Sequence, residues 1–159
     1  MARYALSNAG TAITTQQNMT TTYKTLVTLS SATGATTLRR AWLYDIMVGT
    51  DGTPADNAMS FIVNRQTSVG TVTVLAPLPL DFGDAACLTT GGINTTIEGI
   101  VTDNSALVQI GMNQRASYRW VAAPGGELIM PAVNVAGIGV RAKSPAYAST
   151  ATATVNLWE

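Results

Sequence analysis

The chain has 159 residues, with nine basic and nine acidic side chains, no histidine, and 47% hydrophobic residues. So large an apolar fraction at zero net charge excludes a disordered chain. Because Cys87 is the only cysteine, an intrachain disulfide is excluded. Zero net charge also argues against binding of nucleic acid through its phosphates. Without histidine, Ser-His-Asp, Cys-His and histidine–metal sites are excluded as well. We therefore expect one domain that is not an enzyme and has no catalytic residues, cofactor, metal or small-molecule substrate.

The N-terminal segment, residues 1–22, is predicted to be an arm outside a single β-sandwich domain over 23–159. The segment contains no acidic residue and is rich in Thr, Gln and Asn. So little apolar mass cannot offset an ordering cost of about 1–2 kcal/mol per residue without contacts to another surface. Tyr4 and Leu6 alternate with alanine in a pattern typical of a strand that adds to a neighbour's sheet edge. We therefore predict partner contacts by Arg3, Tyr4 and Leu6.

Export and membrane signals are absent from the sequence. The first ten residues lack an apolar core, and no uncharged run is both long and apolar enough to span a bilayer. A free cysteine fits folding in a reducing compartment. We therefore expect a protein made in a cytoplasm, with no membrane partner.

Strand-sized segments separated by Gly, Pro, Asn and Asp fill the rest of the chain. The longest candidate spans 38–48, where Trp42, Tyr44 and Ile46 alternate and are predicted to be buried on one face. Asp84, followed by Ala-Ala-Cys-Leu, predicts one helical turn over 84–88 with Asp84 as its N-cap. Further strands are predicted at 23–30, 59–65, 71–75, 94–102, 106–112, 115–122, 127–130, 133–143 and 150–158.

This pattern predicts an all-β fold. Threonine and alanine are the two commonest residues, and short strands alternate with turn signals. We predict an antiparallel β-sandwich of jelly-roll type with at most one short helix; an immunoglobulin-like sandwich is the alternative. The loop at 49–57 holds Asp51 and Asp56, but its spacing is typical of a solvated turn rather than of a calcium loop.

The stretch 113–132 is the most distinctive in the sequence because arginines and aromatic residues lie close together. On a strand, Arg115 and Arg119 share one face, and Tyr118 and Trp120 share the other. We place the two aromatic residues in the core. Arginine is enriched at interface hot spots, so Arg115 and Arg119 are predicted to be partner contacts.

Several phrases in the sequence resemble a group of tailed-bacteriophage proteins. They are TPADN (53–57), RQT followed by GT (65–71), PLPLDFGDAACLT (77–89), NQRASYRWVAAPGGEL (113–128) and GIGVRAKSPAY (137–147). These phrases are similar to capsid decoration, or cement, proteins, and the likeness covers about residues 36–159. It implies a β-sandwich module, commonly trimeric, bound to the major capsid protein on the outer surface of the phage head. It implies no chemistry.

Our function hypothesis is therefore a virion structural protein, a homotrimer that decorates and stabilises the capsid. A phage fibre or receptor-binding β module that recognises host glycans is the alternative. A carboxylate-dependent glycosidase is a third hypothesis, although the carboxylates show no spacing that specifies a site. Copy number in the virion separates the first two, since decoration needs many copies and a fibre needs few.

Overall fold

Thirteen β-strands make up the fold, as a computed structural model describes it over residues 1–10, 17–31, 38–102, 104–134, 136–144 and 150–159. These ranges contain no helix. In chain order the strands are β1 (Arg3–Ser7), β2 (Gln17–Asn18), β3 (Lys24–Ser30), β4 (Ala41–Asp51), β5 (Ala58–Gln66), β6 (Thr71–Val74), β7 (Leu78–Pro79), β8 (Thr90–Ile97), β9 (Val108–Asn113), β10 (Tyr118–Val121), β11 (Leu128–Met130), β12 (Gly137–Lys143) and β13 (Thr150–Trp158).

The strands form two antiparallel sheets that pack face to face. Sheet A has the order β10-β4-β13-β1-β7, with β11 also paired to β4 and β2 also paired to β13. Sheet B has the order β6-β8-β3-β12-β5-β9. Their inner faces share one apolar core, which holds Phe61 of sheet B and Ile46 of sheet A. Burial of these faces is the main stabilising contribution to the fold.

Eight of the strands follow jelly-roll connectivity. Four lie in sheet A in the order β10-β4-β13-β1, and four lie in sheet B in the order β3-β12-β5-β9. The chain crosses between the sheets at nearly every step, so N-terminal strands lie beside C-terminal ones. The insertion between β5 and β9 adds β8 and β6 beyond β3, and β7 beyond β1. The predicted fold class is confirmed, and the order differs from that of the immunoglobulin-like alternative.

Strand β1 corrects the prediction of an N-terminal arm. Arg3–Ser7 pairs with β13 over five residues and with β7 on its other side. Tyr4 and Leu6 are only 3% and 2% exposed and belong to the core. The prediction was wrong for these residues because it weighed their apolar content locally, whereas their partner strand lies about 150 residues away in sequence. Residues 11–16 of the proposed arm lie outside the described ranges.

A β-bulge in β4 reverses which residues of that strand face the core. On β13, Asn156 pairs with Asp45 and Leu157 pairs with Leu43, so Tyr44 has no partner there. The extra residue shifts the alternation by one position. Before the bulge the odd-numbered residues face the core, and after it the even-numbered residues do.

The predicted burial of Ile46 is confirmed, but that of Trp42 and Tyr44 was wrong. Ile46 follows the bulge and is fully buried. Trp42 and Tyr44 are half-buried, and the Tyr44 ring lies 5.7 Å from the Trp158 ring. A strict period of two cannot reveal the inserted residue, because the bulge is defined by the pairing with β13.

Between β8 and β9, residues 98–102 and 104–107 lie over the outer face of sheet B, and we call these residues the strap. Its backbone forms hydrogen bonds with β5 and with Thr67, the residue that follows β5. Ile100 O accepts from Thr67 N at 3.0 Å, and Leu107 N donates to Val63 O at 2.7 Å. Beneath the strap lie the buried polar residues Asn64 and Gln66. The strap therefore forms one wall of a polar cleft on this face.

We predict that Leu6→Ala lowers the free energy of unfolding by about 2–5 kcal/mol, the range for truncating a buried leucine. The reason is that Leu6 fills the core between the sheets. Chemical denaturation measures the change. The matched control is Leu78→Ala, because Leu78 on the adjacent strand β7 is exposed and its loss is expected to cost less than about 0.5 kcal/mol. Equal effects of the two substitutions would contradict the place of β1 in the core.

Candidate interaction surfaces

One end of sheet A gathers exposed arginines and apolar side chains. Antiparallel pairing sets both Arg3 and Trp42 opposite Trp158, so the starts of β1 and β4 meet the end of β13. The loop after β7 joins them, because Leu80 N donates to Arg3 O at 2.8 Å. We call this region the docking end; it comprises Met1, Arg3, Arg39, Arg40, Leu80, Phe82 and Leu88.

Phe82 lies at the tip of a tight turn in the docking end. Asp84 N donates to Asp81 O at 3.1 Å, and Gly83 N donates to Asp81 Oδ1 at 2.9 Å. This turn leaves the Phe82 side chain fully exposed. A large apolar ring presented in this way is typical of an anchor that a partner buries.

Two side chains from the sandwich fix the loop that follows Phe82. The buried Tyr4 donates its hydroxyl to Ala85 O at 3.0 Å. The Glu159 carboxylate accepts from Leu88 N at 2.8 Å, from Thr89 N at 3.1 Å and from Thr89 Oγ1 at 3.0 Å. The prediction of a helical turn over 84–88 was wrong, because Tyr4 and Glu159 form hydrogen bonds with backbone groups that would be paired with one another in a helix. The loop is thus held in place without regular secondary structure.

Burial and the Glu159 carboxylate also determine the protonation states of Tyr4 and Cys87. They raise the pKa of Tyr4, so the phenol stays a hydrogen-bond donor at neutral pH. They raise the pKa of Cys87 to about 12, which keeps that side chain a thiol. The loop therefore offers no thiolate nucleophile.

The arginines of the docking end lie near carboxylates without forming close ion pairs, since Asp81 and Asp84 line one pocket with Arg3 and Glu159 lines another with Arg39. Arg3, Arg39 and Arg40 are exposed, and none of them forms an ion pair within the part of the chain that the structure describes. Met1, Leu80 and Leu88 are exposed beside them. Arginines next to exposed apolar groups are the composition of interface hot spots.

A second surface is a groove of about 600 Å³ on the outer face of sheet A, between β10 and β13. It brings together Arg115, Tyr118 and Arg119 with Thr152 and Thr154. Tyr118 was predicted to be buried but is 48% exposed, because β10 is the edge strand of sheet A. Trp120, which packs half-buried against the core, fits its predicted place.

Arg119 fixes a buried carboxylate at the bulge of β4. Its Nε and Nη2 donate to Asp45 Oδ1 and Oδ2 at 2.9 and 2.7 Å, and Asn156 Nδ2 donates to Asp45 Oδ2 at 3.0 Å. Asp45 is 2% exposed, whereas the Arg119 side chain is 62% exposed. The hydrogen bonds from Arg119 and Asn156 lower the pKa of Asp45. Arg119 is therefore bound within its own sheet before any partner arrives.

Arg115 makes a weaker contact, an exposed ion pair with Asp56 at 3.4 Å. In the same loop, Gly52 N donates to Asp51 Oδ1 at 2.7 Å, as expected for a turn. Among the described residues, no group of three His, Cys, Asp or Glu side chains could hold a metal ion. The described ranges also contain no helix long and apolar enough to cross a membrane.

The five predicted contact residues thus lie in three different places. Arg3 is part of the docking end, and Arg115 and Arg119 line the groove. Tyr4 and Leu6 are in the core, so their prediction as partner contacts was wrong. Sequence reasoning missed Phe82, Leu80, Arg39 and Arg40; the apolar residues between Pro77 and Asp84 were a signal that could have found the first two.

Comparison with protein-family models, curated proteins and solved structures found no match to the chain. Its surfaces are therefore interpreted from their own chemistry.

We predict that Asp45→Asn destabilises the fold at neutral pH by about 1.5–3 kcal/mol, the range for hydrogen bonds to charged groups. Because the native pKa of Asp45 lies below 3.8, the carboxylate contributes stability above pH 3.8. That contribution is lost as the pH falls through the lowered native pKa. Chemical denaturation across this pH range should show that the free energies of unfolding of the variant and the native chain become equal in acid.

The control for Asp45 is Asp56→Asn, which removes the exposed pair with Arg115. Such pairs contribute about 0–1 kcal/mol, so little change is expected at any pH. A constant difference between Asp45→Asn and the native chain down to pH 2 would contradict the lowered pKa.

Proposed function

We propose that the chain is a virion structural protein that decorates the outer surface of a tailed-phage head and stabilises the lattice of the major capsid protein. The observation that carries this proposal is the docking end, where Phe82 is exposed on a fixed frame together with three arginines that form no ion pair among the described residues. The phrases that resemble those of decoration proteins also support it.

The structure of the docking end suits a rigid contact. Tyr4 and Glu159 hold the Phe82 loop before binding, so little ordering entropy is lost when a partner covers it. A single patch of this size binds modestly, but a capsid repeats the contact many times. Symmetry then multiplies a weak interface into a large avidity.

The proposed partner is a surface with acidic and apolar side chains on the major capsid protein. Such a surface complements Arg3, Arg39 and Arg40 in charge and covers Phe82. No catalytic role, cofactor, nucleic acid or membrane enters this proposal. The protein is made in the host cytoplasm and functions on the outer face of the capsid.

We further propose a homotrimer as the form that binds. Only 11% of the residues are charged, and a weakly charged exterior is poorly suited to a free monomer. Light scattering at micromolar concentration should therefore give about three times the chain mass of 16.6 kDa. A single monomeric species would contradict the preformed trimer without affecting the docking end.

The direct test measures binding to phage heads that lack the protein. Purified chain is mixed with such heads, sedimented with them and quantified against the major capsid protein. We expect saturation in fixed stoichiometry with the capsid lattice for the native chain. We expect at least a tenfold loss of affinity for Phe82→Ala and for the double variant Arg39→Ala/Arg40→Ala, as for hot-spot residues.

The matched control is Val74→Ala, which truncates an exposed apolar side chain on sheet B and should bind normally. Glu159→Ala frees the Phe82 loop and should weaken binding less than Phe82→Ala does. Failure of the native chain to co-sediment, or only a few copies per head, would overturn decoration; the second result would favour the fibre alternative.

A further inference from the structure

The strands that end the two sheets differ in how they are protected from pairing with another chain. Sheet A ends in β10, which carries Arg119 and shares its edge with the three-residue β11, and in β7, which has two residues and contains Pro79. Charge, proline and shortness are features with which proteins block an exposed edge. Sheet B ends in β6 and β9, and neither strand contains a charged residue or a proline. The edges of sheet B are therefore the less protected ones.

Strand β9 presents a regular edge with a glycine at its middle. It pairs with β5 in an unbroken register, and within the described ranges no strand lies on its other side. Gly111 is exposed, and a Cβ added there would meet no atom within 4 Å. Its φ is not positive, so neither crowding nor backbone conformation within this chain requires a glycine. A glycine inside a strand is typical of a place where another backbone approaches closely.

Strand β6 presents the second edge, at the opposite end of sheet B. Among the described strands it pairs only with β8, and the irregularity in that pairing lies on β8, where residues 93–97 face residues 71–73. Thr71 and Thr73 are exposed along β6. Val74 and Ile97 beside them are exposed apolar side chains. An open edge flanked by β-branched apolar groups favours the addition of another strand.

The lack of charge around both edges indicates what covers them. The segments 66–80 and 104–114, which contain β6 and β9, hold no Asp, Glu, Lys or Arg. Depletion of charged residues is typical of the core of an interface, and a charged partner would lose its hydration there without gaining a counter-charge. Each edge thus requires a neutral strand edge as its partner, and the other edge of the same chain has that composition. A second copy of this chain therefore fits both edges.

We propose that copies of this chain pair edge to edge through sheet B, with β6 of one copy against β9 of the next, and that three such contacts close a ring. The inference rests on the homotrimer proposed above and names the surface that forms it. A head-to-tail contact suits a ring of three, because a contact between two identical patches closes with two copies. Backbone hydrogen bonds supply the affinity, Val74 and Ile97 add apolar contact, and Gly111 leaves room for the incoming strand.

The first test places a lysine on each edge, since lysine on an edge strand opposes pairing with another chain. We expect Gly111→Lys and Thr73→Lys each to lower the mass measured by light scattering about threefold, from a trimer to a monomer. Far-UV circular dichroism should stay that of the native chain, because both positions are exposed. The matched control is Asn18→Lys, an exposed position on sheet A, which should remain trimeric. A trimeric Gly111→Lys would overturn the proposal.

The second test detects the contact in the intact assembly by cross-linking. The only native cysteine is replaced by Cys87→Ser, and Thr73→Cys and Gly111→Cys are introduced into the same chain. The protein is treated with a short bismaleimide and separated on a denaturing gel. We expect linked species of two and three chains and nothing larger, because a closed ring ends at three. Chains that carry only one of the two new cysteines should not be linked, because β6 meets β9 and neither strand meets its own copy.

Three results of the cross-linking would overturn the ring: linked dimers from either single cysteine, a ladder that continues beyond three chains, or no linked chains from the double variant. The first would show a twofold contact, and the second an open filament. Binding to phage heads is measured separately by co-sedimentation. A native chain that binds heads without forming this contact would overturn the edge pairing alone, whereas a linked trimer that does not bind heads would overturn decoration alone.

Discussion

The hydrogen bonding of β13 to both β1 and β4 is the constraint on which the rest of the structure depends. It joins the first strand and the last into the centre of sheet A. Its inward residues, Ala151, Ala153, Val155 and Leu157, are all buried, and the small alanines let sheet B approach closely. Because jelly-roll pairings are non-local, both the position of β1 and the bulge of β4 depend on a strand that is distant in sequence.

The same strand also positions the proposed docking end. Glu159 follows directly after β13, and its carboxylate holds Leu88 and Thr89. Tyr4 on the neighbouring strand holds Ala85. An irregular loop can thus present Phe82 in one position because the rigid sheet beneath it supplies the hydrogen bonds that the loop lacks within itself.

The two outer surfaces differ in chemistry because the sheets differ in what covers them. The docking end is open and presents exposed arginines beside apolar groups, with no ion pair to them among the described residues. On sheet B the strap covers a polar layer, where Glu98 pairs with both Arg141 and Lys24 and Asn64 has one acceptor without a hydrogen-bond partner. The first composition favours contact with a protein surface, whereas the second is largely closed by the strap.

The sequence by itself determined the fold class and most of the strands, because alternation with a period of two is a local property. The strand predicted over 150–158 coincides with β13, and Ile46 was placed correctly in the core. Of the candidate sites, it found Arg3, Arg115 and Arg119 on the surface, since charged side chains stay exposed unless they are paired.

Only the tertiary structure decided the rest, because those features depend on partners distant in sequence. Tyr4 and Leu6 are buried since β13 pairs with them, and Trp42 faces outward since the register with β13 slips at Tyr44. Asn64 and Arg141 meet in one cleft only because β5 and β12 are neighbours beneath the strap. A local sequence pattern does not show which strands become neighbours, and the polar cleft therefore could not be predicted from the sequence.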